Sequence, residues 1–419
     1  MFEEVFLKKE DYKHVQTASM ILINNYLHRD VLSDLIQRWM YHNVRPSDAE
    51  LVTRLVNFNH TYVSRYLRRF CESIFGGLYP EGHIGRRVSV KRDLKEALVA
   101  NPPFRNARID ELISNYRKHP EHYYSDTPFQ GILFFRGERA DFLIGSCRIK
   151  RVRRLAEKAA HRIIDRIFES IKARAEALAD DRARQLGIPR ELLVTPPEEM
   201  QAEFVHAEAR LVEDLRLGRP VEAAGGITIN DVAGIKVILE NDRQNSLLRV
   251  LDRLPGCRIS EKEIHTGLYN ATNLIVSYRP DREGILSEPV GRGIVSLMEK
   301  RGMPAEHTQQ AFAEFVRTGE DSVSVEIIVS NYQETLESEI GWCMHEERIV
   351  RQRATKEYRG HLARNIEYLM EYLFAFSQSA ERELPELPIK LWNRYLPDYF
   401  DDVLKRLYHI PSDTLPDEP

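Results

Sequence analysis

Two carboxylates and one run of cations in this chain are of types and spacings that could do chemistry, and each also has a plain structural reading. Glu326 stands between Val325 and Ile327 in SVSVEIIVS (322–330), the cleanest apolar–polar alternation in the sequence. Such a carboxylate either lies on an exposed edge strand or is buried and needs a partner. A second carboxylate with Mg2+ between the two would supply one. Asp231 is the natural candidate: it opens the β-branched stretch NDVAGIKVI, with Lys236 five residues later. On an ideal strand Asp231 and Lys236 project to opposite faces, which also suits a turn-capping Asp and a solvent-facing Lys. The cations lie in GSCRIKRVRRLAEKAAHRI (145–163), directly after the apolar run DFLIG. A run of this kind is a solvated helix surface, a nucleic-acid patch or a cradle for polyphosphate, and composition does not separate the three. In EIHTGLYNATNLIVSY, Tyr269 occupies a Gly-containing loop ahead of a strand, where it can stack on a base or lid a core.

These groups need elements to hold them. The apolar positions Ile149, Val152, Ala156, Ala159, Ile163, Ile167 and Ile171 recur at threes and fours, predicting a basic helix with one buried stripe. It runs to about Gln185 and stops at LGIP; a second helix spans roughly 197–217. GILFFRG and ADFLIGS read as a hairpin-like pair of strands, and 225–241, 273–280 and 322–330 as three more. Helical pieces are expected near 243–253 and 289–319, and helix predominates from Ser330 to about 383, with a last short helix near 391–408. Residues 1–75 carry helical periodicity, and 88–128 read as short helices. The stretch TYVSRYLRRF (61–70) reads as an ordinary amphipathic helix, with RNA binding as the alternative. His28 and Asp30 form a lone tripeptide without metal-ligand spacing.

The expected architecture is an α+β fold. A helical N-terminal region covers 1–128, a mixed-sheet core 129–350 with a helical insertion at about 160–224, a helical C-terminal region 351–410, and a disordered tail 411–419. At 419 residues and 42% hydrophobic content, the chain can bury a large core or several smaller ones. A net charge of −4 confines any nucleic-acid or nucleotide role to a local patch. The four cysteines, far apart and without CxxC spacing, read as reduced thiols of a cytoplasmic protein. No window is apolar enough to predict a membrane span, and no signal-peptide pattern opens the chain.

Taken together, the motifs resemble the RelA/SpoT-type nucleotide pyrophosphokinases, whose synthetase domain makes (p)ppGpp in the stringent response. Arg148, Lys150 and Lys158 keep the 0, +2, +10 spacing of the family's basic segment. Asp231 and Lys236 keep the spacing of its D-x-x-x-x-R strand, and Tyr269 and Asn273 that of its N-G-Y-x-x-x-H loop. Glu326, Glu339 and His345 keep the 0, +13, +19 spacing of its last strand and helix. The resemblance covers about 140–350 and implies a nucleotidyltransferase-like mixed sheet. It also implies Mg2+-dependent transfer of pyrophosphate from ATP to the 3′-hydroxyl of a guanine or adenine nucleotide, or of an RNA such as tRNA. Arg148, Lys150 and Lys158 would then grip the ATP phosphates. Asp231 would hold Mg2+, and Glu326 would complete the metal site or act as general base. Tyr269, Asn273, Glu339, His345 and Lys236 would lie on the acceptor side, Tyr269 stacking on the base. Departures concentrate on that side: Lys236 replaces Arg, Asn273 replaces His, Ile328 replaces Gln and Ser330-Asn331 replace Arg-Thr. They imply a changed acceptor; the alternative is an inactive nucleotide- or RNA-binding regulator on the same fold.

Overall fold

A computed structural model describes residues 21–137, 142–193, 196–219, 227–267, 270–354, 358 and 360–410. The expected tail at 411–419 lies outside them. Strand β1 (Ile21–Ile23) leads into α1 (Arg29–Met40) and the long α2 (Asp48–Leu78). Tyr62, Val63, Tyr66, Leu67 and Phe70 of α2 are buried, so the 61–70 stretch is a core helix. Its arginines are spent on structure: Arg65 and Arg69 donate to backbone carbonyls at Gly284, Ile285, Glu288 and Pro289. His28 is buried, with Nε2 2.8 Å from the Phe315 carbonyl.

The region 1–128, expected to be helical, contributes two strands, β1 and a longer second one. β2 (His83–Val90) forms one edge of the main sheet, followed by α3 (Lys91–Ala100) and α4 (Ala107–Lys118). β3 (Pro128–Arg136) and β4 (Leu143–Ile149) form the expected antiparallel pair. A second correction concerns the basic segment, whose first part is not helical. Arg148 lies on β4, Lys150 and Arg151 in a short link, and α5 begins only at Val152, extending to Leu186. The buried stripe of α5 runs from Leu155 to Ala183, and Gly187, with a φ of 66°, ends the helix in the left-handed region. α6 (Pro197–Arg216) packs back along α5.

β5 (Ile227–Ile229) pairs in parallel with β1 as a separate two-stranded sheet, and β6 (Ala233–Ile238) enters the main one. After α7 (Gln244–Arg253) comes an unexpected strand, β7 (Cys257–His265), antiparallel to β8 (Ala271–Tyr278) at the other edge. Helices α8 (Arg282–Leu286), α9 (Arg292–Lys300) and α10 (Ala305–Thr318) lead to β9 (Val323–Ser330). α11 (Tyr332–Ile340), α12 (His345–Ala354), α13 (His361–Phe376) and α14 (Pro397–Leu407) complete the described chain.

The seven-stranded sheet has the order β2-β3-β4-β6-β9-β8-β7 and is mixed, because β6 and β9 pair in parallel while their other neighbours are antiparallel. Alternation gives it two faces. Ala233, Ile235, Val237, Val325, Ile327 and Val329 join the main core with α2, α5 and α13. On the opposite face, Leu133, Phe135 and Ile238 are covered by α3, α4 and α11. The rest of that face stays open. Among the described residues no helix is long and apolar enough to cross a membrane.

Candidate active site

The open part of the sheet is the floor of a cleft of about 960 Å3, walled by α5 and α12 and by the start of β3. A narrower pocket of about 90 Å3 forms its inner end. Strand register brings the floor residues together. Arg148 of β4 pairs with Gly234 of β6, and Gly234 with Glu326 of β9, so these three form one row. The next row is Ser146, Lys236, Ile328 and Asn273. Gly234 leaves Arg148 and Glu326 facing each other across a position without a side chain; two strand spacings put about 10 Å between their backbones.

Asp231 reaches this floor from outside the strand. It sits in the link between β5 and β6, which removes the parity argument that set it opposite Lys236; both line the inner pocket. Asn24 and Asn25 hold the link. Asn24 Nδ2 donates to Asn230 Oδ1 at 2.7 Å. Asn25 Oδ1 accepts from the Val232 N–H at 3.1 Å, while its Nδ2 donates to the Ser324 carbonyl at 2.5 Å. Asn25 is fully buried, so it ties the Asp231 link to the start of β9.

The electrostatics of the pair are unequal. Lys150 Nζ lies 2.7 Å from Asp231 Oδ2, and Lys158 donates to the same oxygen. Oδ1 is buried and, among the described residues, has no hydrogen-bond donor. Burial alone would raise the Asp231 carboxyl, but the two ammonium groups outweigh it and hold it well below the usual carboxylate range. Lys150 moves the other way from its partner's benefit. Burial pushes it down to about 8, because it shares one anion with Lys158 and also faces Arg148. Glu326 is raised by burial and then by the Asp231 charge. Among the described residues no donor bonds its carboxylate, and none bonds or pairs with the Arg148 guanidinium. An orphaned carboxylate oxygen beside a second carboxylate is an acceptor-only set, and hard divalent cations take oxygen donors of this kind.

Behind Lys236 lies a buried ion network. Lys236 Nζ donates to Ser338 Oγ at 2.7 Å and lies 3.7 Å from Glu339 Oε1. Lys91 Nζ bonds Glu339 Oε2 at 2.6 Å and lies 3.3 Å from Glu346 Oε1, with Lys95 Nζ 3.7 Å from Glu346 Oε2. Burial raises the Glu339 carboxyl, yet Lys91 and Lys236 overcome this and hold it far below the usual range. Burial brings Lys236 down to about 8. Glu339, expected at the edge of the acceptor site, thus acts first as the counter-ion that fixes α11 to the sheet. His345 opens α12 and faces both the inner pocket and the outer cleft. Burial, then the charges of Arg148 and Lys91, push its imidazole to about 2, so it is neutral at any working pH.

Of the residues singled out from sequence, Arg148, Lys150, Lys158, Asp231, Lys236, Asn273, Glu326, Glu339 and His345 all line this one cleft. Tyr269 lies outside the described residues. Sequence reasoning missed Lys91, Arg348 and Asn25. For Lys91 a signal was present: Lys91 and Lys95 stand four apart on the same side of α3 as Leu94 and Leu98, where an exposed helix would not place them. α12 is fastened across the cleft, with Arg353 bonding both oxygens of Glu157 on α5 at 2.8 Å and Glu347 accepting from Tyr124 at 2.6 Å. No known family, curated protein or solved structure matches this chain.

Proposed function

We propose that the chain is a divergent RelA/SpoT-like synthetase on a nucleotidyltransferase-like fold, transferring pyrophosphate from ATP to a 3′-hydroxyl. The observation that carries this reading is that Asp231, from the link leading into β6, and Glu326, from the adjacent parallel strand β9, line the same foot of a cleft that also presents Arg148, Lys150, Arg154 and Lys158. A triphosphate needs several cations held on a rigid frame, and here β4 and α5, packed into the core, are that frame. Asp231 and Glu326 would hold Mg2+, which when bound disperses the charge developing on the transferred group. The hydroxyl oxygen bonds to the β-phosphorus, the bond from that phosphorus to the α–β bridging oxygen breaks, and AMP leaves. The hydroxyl proton passes to a base, and Glu326, on the cleft floor beside Gly234, would take it where it does not complete the metal site. Asn273 and His265 line the side of the cleft away from α5, where a guanine or adenine nucleotide or an RNA 3′ end would lie.

A second reading, an inactive nucleotide- or RNA-binding regulator, draws on the fact that Lys150 and Lys158 are already satisfied by Asp231. Transfer of label from β- and γ-labelled ATP to GDP, GTP, ADP, AMP or tRNA separates the two. Both labels appearing on one acceptor, and lost in Asp231→Ala and Glu326→Ala, is the expected result. ATP binding with no transfer to any acceptor favours the regulator; no ATP binding refutes the synthetase, and no binding of any of these nucleotides or of tRNA refutes both.

A further inference from the structure

Asp231 carries its charge unevenly. Oδ2 receives two ammonium groups, from Lys150 and Lys158, while Oδ1 is buried without a donor among the described residues. Lys150 also donates to the Asp231 backbone carbonyl. With one carboxylate between two cations, this corner of the cleft has a net charge of +1. A divalent cation arriving alone would meet both ammonium groups at close range. A triphosphate arriving alone would meet the Asp231 and Glu326 carboxylates. Each half of the magnesium–nucleotide complex is therefore opposed by the group that its companion would neutralise.

Resting on the function proposed above, we infer that Lys150 and Lys158 are resident counter-ions of Asp231, and that metal and triphosphate enter this cleft only as a pair. The phosphates draw the two lysines off Asp231, and the carboxylate so released joins Glu326 in holding the metal. The side chains allow the exchange. Both lysines also face the large outer cleft, and Lys158 is 27% exposed. A four-carbon stem lets an ammonium move several ångströms without backbone change. Arg148, with no ion pair among the described residues, is available to the phosphates before the lysines are released.

The test uses the full chain, Mn2+ as the metal probe followed by electron paramagnetic resonance, and α,β-methylene-ATP, which cannot undergo the transfer. In the wild type, Mn2+ alone should bind at least about tenfold more weakly than Mn2+ with the analogue, and the analogue should gain by the same factor from Mn2+. Lys158→Met should move the two probes in opposite directions. Mn2+ alone binds more tightly, about tenfold; the analogue binds more weakly; and the coupling shrinks. Lys150→Met should give the same signs, which guards against one variant being merely damaged, since damage weakens both probes. Equal Mn2+ affinity with and without the analogue would overturn the inference. So would unchanged or weaker Mn2+ binding in both variants, with the proposed function left standing. If Mn2+ and the analogue do not bind even together, the proposed function falls and takes the inference with it.

Discussion

Lys91→Met is the most demanding probe of the ion network behind the cleft. Lys91 is 4% exposed, and its ammonium is the nearest cation to two buried carboxylates, at 2.6 Å from Glu339 and 3.3 Å from Glu346. Methionine keeps most of the stem's packing and its place beside Phe129, so the change isolates the charge. It leaves Glu339 with Lys236 and Glu346 with Lys95, each at 3.7 Å. Removing one partner from a buried ion pair costs about 3–5 kcal/mol, because the remaining charge has lost its hydration and here keeps only a more distant cation. Urea unfolding followed by circular dichroism at pH 7 should show that loss. The sign of the pH dependence follows from Glu339. Its folded carboxyl is held below the unfolded value of about 4.3, so the pair stabilises above that pH and its contribution fades as pH falls. The gap between wild type and variant should thus be widest near neutrality and narrow below about pH 4. Adding Glu339→Gln to Lys91→Met should recover part of the loss, with a coupling of about 0.5–3 kcal/mol. A cost under about 1 kcal/mol at pH 7, or strict additivity in the double variant, would refute the reasoning.

Asn25→Ala deprives the Val232 N–H and the Ser324 carbonyl of their side-chain partner, at about 1–3 kcal/mol for each buried group. Because it loosens the Asp231 link, the proposed pyrophosphate transfer should lose kcat more than ATP affinity, read from steady-state kinetics beside a direct ATP-binding measurement. Gly145→Ala would drive a Cβ into the Lys236 carbonyl oxygen and put it 2.5 Å from the Phe75 ring. A destabilisation of about 1–3 kcal/mol or more is expected, read as a lower thermal midpoint; an unchanged midpoint would mean that β4 and β6 do not approach this closely. Polyphosphate affinity should weaken as pH rises through about 8, where Lys150 and Lys236 lose their charge, and a plot of Kd against pH tests this directly.

The carboxylate pair and its basic wall were legible because their signals are local: Glu326 breaks an apolar alternation, and Arg148, Lys150 and Lys158 keep fixed spacings. Helix α5 was legible from its isoleucine and alanine stripe and its terminal glycine. The start of that helix was not. Ile149 and Val152 fit both a strand end and a helical stripe, and only the ladder to Gly131 and Gly234 puts Arg148 on β4. β7 and β2 were missed for a different reason. CRISEKEIH and HIGRRVSV are edge strands with mostly exposed side chains, so neither shows an apolar face, and each is held by backbone pairing to one neighbour. The Lys91–Glu339–Glu346 network joins residues far apart along the chain, and no window of sequence contains both ends. Asp231 was misjudged in its facing because the two-fold alternation was carried into a link that is not a strand.

The sheet order has a kinetic consequence. β9, the last in chain order of the described strands, occupies the middle of the sheet between β6 and β8. Until Val323–Ser330 emerges, the nascent chain holds two half-sheets, each with an open apolar edge, and such edges invite pairing with other chains. Insertion of β9 closes both at once and delivers Glu326 to the cleft in the same event. Folding should therefore be slow and its closing step cooperative, since the central pairing joins segments widely separated in sequence. A chain cut short before β9 would be prone to aggregate and unable to assemble the site; completion of the sheet and completion of the cleft are one transition.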